Sequence, residues 1–149
     1  MKLRAYRPED CREITELFFD TVHTINAKDY IPEQLDVWAP EEPDMDKWNA
    51  SLLAHYSIVA EEDGKIIGFG DLAEPDYLDR LYIHKNYQKK GVACAICKKL
   101  EQKASGKVIT HASITARPFF EKRGYRVIRE QQVQRAGIFL TNFVMEKAL

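Results

Sequence analysis

The sequence predicts one mixed α/β (α+β) domain, a mostly antiparallel sheet with a single parallel β-α-β crossover. Three observations carry this. Cys11, Ile14, Phe18, Val22 and Ile25 recur at three- and four-residue steps with Leu17 beside them, the spacing of an amphipathic helix. Strand-like residues 57–60 and 66–72 flank Asp63-Gly64, a hairpin dipeptide in which both positions take positive φ. Residues 77–83 and 108–112 read as strands separated by a helical pattern, which makes them a parallel pair joined by a right-handed crossover.

Each element follows in order. Leu3-Arg4-Ala5-Tyr6 is a first strand. Arg7-Pro8-Glu9-Asp10 opens the first helix, since proline is tolerated in the first turn and acids suit the helix dipole. Pro32 opens a short helix with Leu35 and Trp38, and Pro40 and Pro43 break it. Asp44 caps a further helix carrying Met45, Trp48 and Leu52. After the hairpin and the third strand of that run, a helix from about Gly91 to Ala104 places Val92, Ile96 and Leu100 in one row and Ala93, Cys97 and Ala104 in the next. Ser105-Gly106 ends it. Thr115 is expected to cap a short helix through Phe119 and Phe120, with Gly124 in the left-handed position after it. Strands over 125–133 and 138–145, turned at Gly137, complete the chain.

The length, 149 residues, suits one domain, here taken as 1–149, and 45% hydrophobic with 30% charged residues is an ordinary globular composition. No run approaches the roughly 18–20 apolar residues of a membrane span. A charged start with no apolar leader, and three cysteines, too few for a disulfide scaffold, predict a cytoplasmic protein. A net charge of −1 argues against a general nucleic-acid binder. That total hides a division. Residues 29–79 sum to −12 and residues 80–149 to +11. Charge asymmetry of this size points to partners.

The chemistry concentrates in Leu81-Tyr82-Ile83-His84-Lys85-Asn86-Tyr87-Gln88-Lys89-Lys90-Gly91-Val92-Ala93. A strand ends, a loop follows and a helix begins at a glycine. Free N–H groups at the positive end of a helix dipole favour an anion, Gly91 permits close approach, and Lys85, Lys89 and Lys90 add charge. This reads as a phosphate or pyrophosphate cradle. The nucleoside-triphosphate motif G-x-x-x-x-G-K-[ST] and the dinucleotide motif G-x-G-x-x-G are both absent.

Gln88-Lys89-Lys90-Gly91-Val92-Ala93 matches Q/R-x-x-G-x-G/A, and Ala116-Arg117-Pro118-Phe119-Phe120-Glu121-Lys122-Arg123-Gly124-Tyr125 is similar to A-x-x-F-Y-E-K-x-G-F. On these motifs, and on an element order that fits from Leu3 to Met145, the chain resembles the GNAT superfamily of acetyl-CoA-dependent N-acetyltransferases. The resemblance implies a GNAT acyl-CoA N-acyltransferase fold in which the two parallel central strands splay. Acetyl-CoA would lie in the wedge as co-substrate, with no metal. Its pantetheine arm would pair with Leu81, Tyr82 and Ile83. Its pyrophosphate would sit in the loop from Gln88, on Lys89, Lys90, Gly91, Val92, Ala93 and Cys94. Ser113 and Phe120 would border the arm. An amine would attack the thioester directly in a ternary complex, with backbone N–H groups near residues 81–83 stabilising the oxyanion.

Two departures stand out: Phe120 replaces the family's usual tyrosine acid, and Ser113 its usual asparagine. Water, Tyr125 or Tyr82 could supply the proton instead. For the general base, two-residue alternation puts Asp79 on the face of Leu81 and Ile83. Asp71 and Glu74 are alternatives. His23, Tyr30 and Trp38 belong to the aromatic and acidic stretch that would form the acceptor pocket, and that stretch predicts a cationic small-molecule or peptide amine. Neither nucleic acid nor membrane is expected as a partner, and the chain is read as a monomer or homodimer. Two other functions compete: a non-catalytic acyl-CoA-binding module, and a thiol redox protein using Cys94-Ala95-Ile96-Cys97.

Overall fold

The computed structural model describes residues 1–149. The chain runs β1 (Lys2–Ala5), a 3-10 turn (Pro8–Asp10), α1 (Cys11–Thr24), a second 3-10 turn (Asn26–Lys28), α2 (Pro32–Trp38) and α3 (Met45–Ala54). It continues through β2 (Tyr56–Glu62), β3 (Lys65–Ala73), β4 (Tyr77–Ile83), α4 (Val92–Lys103), β5 (Lys107–Ser113), α5 (Arg117–Lys122), β6 (Arg126–Arg135) and β7 (Ile138–Ala148). All seven strands form one sheet in the order β1-β2-β3-β4-β5-β7-β6. Every neighbouring pair is antiparallel except β4–β5, as the element pattern predicts. No helix is long and apolar enough to cross a membrane.

The two faces of the sheet bury separate apolar clusters. Ile96, Cys97 and Leu100 of α4 pack on Ile67, Leu72 and Leu78. On the other face Ile14, Phe18 and Val22 of α1 pack on Val59 and Phe69, with Leu35 of α2 and Leu52 of α3. Gly68 and Gly70 let α4 lie close to β3. A Cβ on Gly70 would come within 2.9 Å of Ile96 Cγ2 and 3.0 Å of the Arg80 carbonyl.

Two helix starts differ from the sequence reading, that of the first helix for a local reason and that of α5 for a distant one. The first helix begins at Cys11 because the Asp10 carboxylate turns back to accept from the Arg7 N–H at 2.9 Å and from Arg4 at 2.8 and 2.9 Å. Asp44 caps α3 as expected, accepting from the Lys47 N–H at 3.1 Å. Thr115 does not cap α5. Its hydroxyl donates to Asp29 at 2.7 Å, and Ser113 Oγ accepts the Ala116 N–H at 3.0 Å instead. Both tight hairpins carry two successive positive φ values, 51° and 76° at Asp63 and Gly64, 48° and 80° at Ala136 and Gly137.

Candidate active site

The parallel pair is short. Tyr77 pairs with Ile109 and Leu78 with Thr110, and beyond Leu78 no residue of β5 pairs with β4. The strands part into a wedge that opens on a cavity of about 1160 Å³. Leu81, Tyr82, Ile83, Gln88, Lys89, Gly91, Val92, Ala93, Cys94, Ser113 and Phe120 all line it. Lys90 does not; its ammonium lies 5.4 Å from the Tyr87 ring centroid, outside the cavity. Lys122, which sequence reasoning passed over although it stands inside the second motif, does line it.

The loop before α4 is shaped for an anion. The Gln88 side-chain amide donates to the Ile83 carbonyl at 2.7 Å and so ties the loop to the strand end. Lys89 and Gly91 both adopt positive φ, 58° and 82°. The first helical bond runs from Ala95 N–H to the Gly91 carbonyl, which leaves the N–H groups of Val92, Ala93 and Cys94 without partners in the helix. A Cβ built on Gly91 meets nothing within 4 Å, and Gly91, Val92, Ala93 and Cys94 all line the cavity, so the helix starts at open space. Together with the unpaired edge of β4 beyond Leu78, this fits an extended ligand that ends in a phosphate.

The three carboxylate candidates separate. Glu74 is half exposed beside Lys103 at 3.9 Å and does not line the cavity. Asp71 is fully buried, accepting from Arg80 Nε and Nη2, the latter at 2.6 Å, and from His55 Nδ1 at 2.9 Å. Its lone pairs are committed, so neither residue is placed to act on an acceptor. Asp79 lines the cavity and is 32% exposed. Its face differs from the sequence expectation. The β3–β4 register steps from Asp71↔Arg80 to Leu72↔Leu78, so Asp79 is the extra residue of a β-bulge. Leu78, Leu81 and Ile83 pack toward α4, whereas Asp79 turns to Arg80 at 3.7 Å and His55 at 3.8 Å. Burial, and next the Asp71 charge, push the Asp79 carboxyl above the ordinary range, against the opposing charges of Arg80 and His55. Ligand atoms of His55, Asp71 and Asp79 lie within 4.8 Å of one another. Arg80 supplies positive charge among them, which makes the group an ion-pair network rather than a cation cage.

On the acceptor side the wall is aromatic, as expected, but not acidic. Trp38 and Tyr30 line the cavity, joined by Phe18, Trp48, Tyr77 and Tyr82. The Trp38 indole N–H donates to Tyr82 Oη at 3.3 Å. Tyr30 also clamps the fold, donating to the Thr141 carbonyl at 2.6 Å and accepting the Ile114 N–H at 2.9 Å. His23 lies outside the cavity: its Nε2 is 2.8 Å from the Ala39 carbonyl and its ring packs on Phe19. Of the acids in residues 29–79, Asp44 and Asp79 alone line the cavity, against Lys28, Lys47, Arg80 and Arg135. The acidic stretch is therefore mostly outer surface.

Two further expectations are narrowed. Tyr125 is outside the lining and its hydroxyl donates to Glu101 at 2.8 Å, so of the two tyrosines only Tyr82 reaches the cavity. Cys97 is buried, and desolvation pushes its thiol up to about 12, which disfavours the thiolate that redox exchange needs.

Comparison with known proteins agrees with this geometry. A family model described as Acetyltransferase (GNAT) domain matches residues 26–147. The chain is 32% identical over 145 residues to the uncharacterised N-acetyltransferase YafP of Escherichia coli K12, covering 97% of this chain and 94% of that one. A GCN5-related N-acetyltransferase of Rhodopseudomonas palustris superposes with a TM-score of 0.96 at 33% identity, over 99% of this chain and 95% of the other. The PaiA N-acetyltransferase of Thermoplasma acidophilum, solved in complex with coenzyme A, has a TM-score of 0.78 at 20% identity, covering 99% and 98%.

Proposed function

The chain belongs to the GNAT acetyltransferases, and from that premise we propose that it moves an acetyl group from acetyl-CoA to a primary amine by direct attack. The observation that carries this is the wedge: a strand edge left unpaired by β5 beyond Leu78 leads along the cavity to a helix start whose first N–H groups have no partner in the helix. Coenzyme A in the Thermoplasma relative supports the same donor class.

In this reading the β4 edge at Leu81, Tyr82 and Ile83 holds the pantetheine arm, and the N–H groups of Val92, Ala93 and Cys94 hold the pyrophosphate. Lys89 and Lys122 add positive charge to the same cavity. The bound donor supplies an activated acyl group as a thioester. Asp79 accepts the proton of the incoming ammonium nitrogen and frees its lone pair; the environment that raises its proton affinity makes it a better base than an ordinary carboxylate. Backbone N–H groups of the parted strand stabilise negative charge developing on the acyl oxygen. Tyr82, whose hydroxyl accepts from Trp38 and keeps its own proton, faces the cavity and is available to the leaving sulfur. A thiol with pKa near ~8.5 also leaves without an acid at neutral pH, which accommodates Phe120.

The test is thiol release from acetyl-CoA across a panel of amines. Turnover with at least one primary amine is expected. Coenzyme A binding with no turnover on any amine would favour a binding module, the reading motivated by Phe120.

A further inference from the structure

We propose that His55 is a positioning residue for Asp79: anchored on Asp71 behind the cavity wall, its imidazolium keeps the Asp79 carboxylate ionised and extends activity toward acid pH. This rests on reading Asp79 as the base.

His55 directly follows α3 and lies outside the cavity lining, so it is not placed to touch an acceptor. Its Nδ1 is 2.9 Å from Asp71 Oδ2 and 3.8 Å from Asp79 Oδ2. A carboxylate only accepts, so Nδ1 carries the proton toward Asp71 and Nε2 is the atom left to titrate. The ring is 21% exposed, within reach of solvent protons. It also sits at the carbonyl end of α3, where positive charge is favoured.

The charges nearest Asp79 are unbalanced without it. Asp71 and Asp79 share one guanidinium, that of Arg80, which is 3.7 Å from Asp79 but spends its shortest bonds on Asp71 and Ser51 at 2.6 Å each. With His55 neutral the group carries a net negative charge; with His55 protonated it is neutral. The other titratable groups near Asp79 do not perform this role. Burial and Arg129 lower the proton affinity of His111 on β5, burial raises that of Tyr77 and Tyr82 and so favours their neutral forms, and Arg135 on β6 is a fixed charge. His55 moves the other way: its hydrogen bond to Asp71 outweighs desolvation and raises its proton affinity, with Asp79 adding to the same effect. It is therefore the one imidazole near Asp79 whose charged form its surroundings favour.

The experiment has two arms. In the first, NMR titration follows the His55 imidazole in the wild-type protein and in Asp79→Asn, with His55→Gln identifying the resonance. The His55 midpoint should fall by about half a pH unit or more in Asp79→Asn, a roughly threefold loss of proton affinity. An unchanged midpoint overturns the proposal whether or not an amine is turned over. In the second arm, kcat/KM is measured against pH for wild type and His55→Gln, which keeps an N–H for Asp71 but cannot charge. The acid limb should move up by about the same half unit while the alkaline plateau changes little. An unmoved acid limb, or an equal loss at every pH, overturns the proposal. Should His55→Gln fail to fold, the Asp79→Asn titration still decides. A shifted His55 midpoint in a protein that acetylates no amine would support the coupling and refute the acetyltransferase reading, so the two failures are distinct.

Discussion

Asp79 sits between Asp71, Arg80 and His55, and its burial raises its proton affinity above that of an exposed carboxylate. A carboxyl raised in this way stabilises the fold while protonated. That contribution is complete below the ordinary value of 3.8 and is lost as pH rises through the raised one. At neutral pH the charged Asp79 is thus a cost to the fold, which the base role proposed for it would explain. Asp79→Asn should raise the melting temperature at pH 7 while lowering kcat/KM by about tenfold or more, most steeply at low pH. A pH–rate profile of unaltered shape would remove Asp79 from the mechanism. This residue was legible in the sequence as a carboxylate near the motif, but its direction was not. Strict alternation places Asp79 beside Leu81 and Ile83, and one inserted residue in β4 turns it to the opposite face. Asp71 and Glu74 stood as alternatives on the preceding strand and its turn. Only the partners, Arg80 for one and Lys103 for the other, separate them from Asp79.

The bulge and the helix start are where elements become a site. Gly70 faces Leu81 across the β3–β4 ladder, one residue from the bulge, and a side chain there would press on the Arg80 carbonyl at 3.0 Å. Gly70→Ala should cost about 1–3 kcal/mol by overpacking, read as a lower denaturation midpoint, and should reduce turnover because the strand that carries Asp79 must shift. Gly91 is different. Nothing lies within 4 Å of its Cβ position, so its requirement is the 82° φ and the open space above the α4 N–H groups. Gly91→Glu should abolish coenzyme A binding in calorimetry by placing a carboxylate in the cradle. Unchanged affinity would displace the donor site from this loop. The motif made this element readable from sequence, because glycine and small residues at a helix start serve a local backbone geometry. The cap of α5 was not readable: Thr115 is drawn to Asp29, 86 residues away in sequence, and Ser113 replaces it.

Across the whole molecule, two carboxylates act as staples, Asp10 locally between β1 and the start of α1 and Glu101 between α4 and the residues Arg123, Tyr125 and Lys147 far from it in sequence. Burial alone would raise Asp10 and Glu101. Hydrogen bonds from Arg4 and the Arg7 N–H lower Asp10, and those from Arg123 and Tyr125 lower Glu101. Depressed carboxyls contribute stability that is present above their ordinary values of 3.8 and 4.5 and lost as pH falls through the depressed ones. The melting temperature should hold down to about pH 4.5 and then fall, and Arg4→Gln should lower the unfolding free energy on the plateau by about 1–3 kcal/mol. The same view of the whole surface revises the charge argument. Residues 29–79 are strongly acidic, yet the cavity they were expected to line holds two of their acids among six cationic side chains, Lys28, Lys47, Arg80, Lys89, Lys122 and Arg135. The acceptor KM should therefore respond weakly to salt between low and physiological ionic strength. A steep rise with salt would instead show that the acidic surface steers a cationic acceptor to the site. By itself the sequence determined the strand and helix order, the one parallel crossover and the glycine-led start of α4, because periodicity, turn residues and helix starts are local properties. Tertiary structure alone decided which carboxylate faces the cavity, that His55 stands behind it, and where the acidic surface lies. Those depend on a bulge, on side chains far apart in sequence, and on which face each loop presents once the sheet has formed.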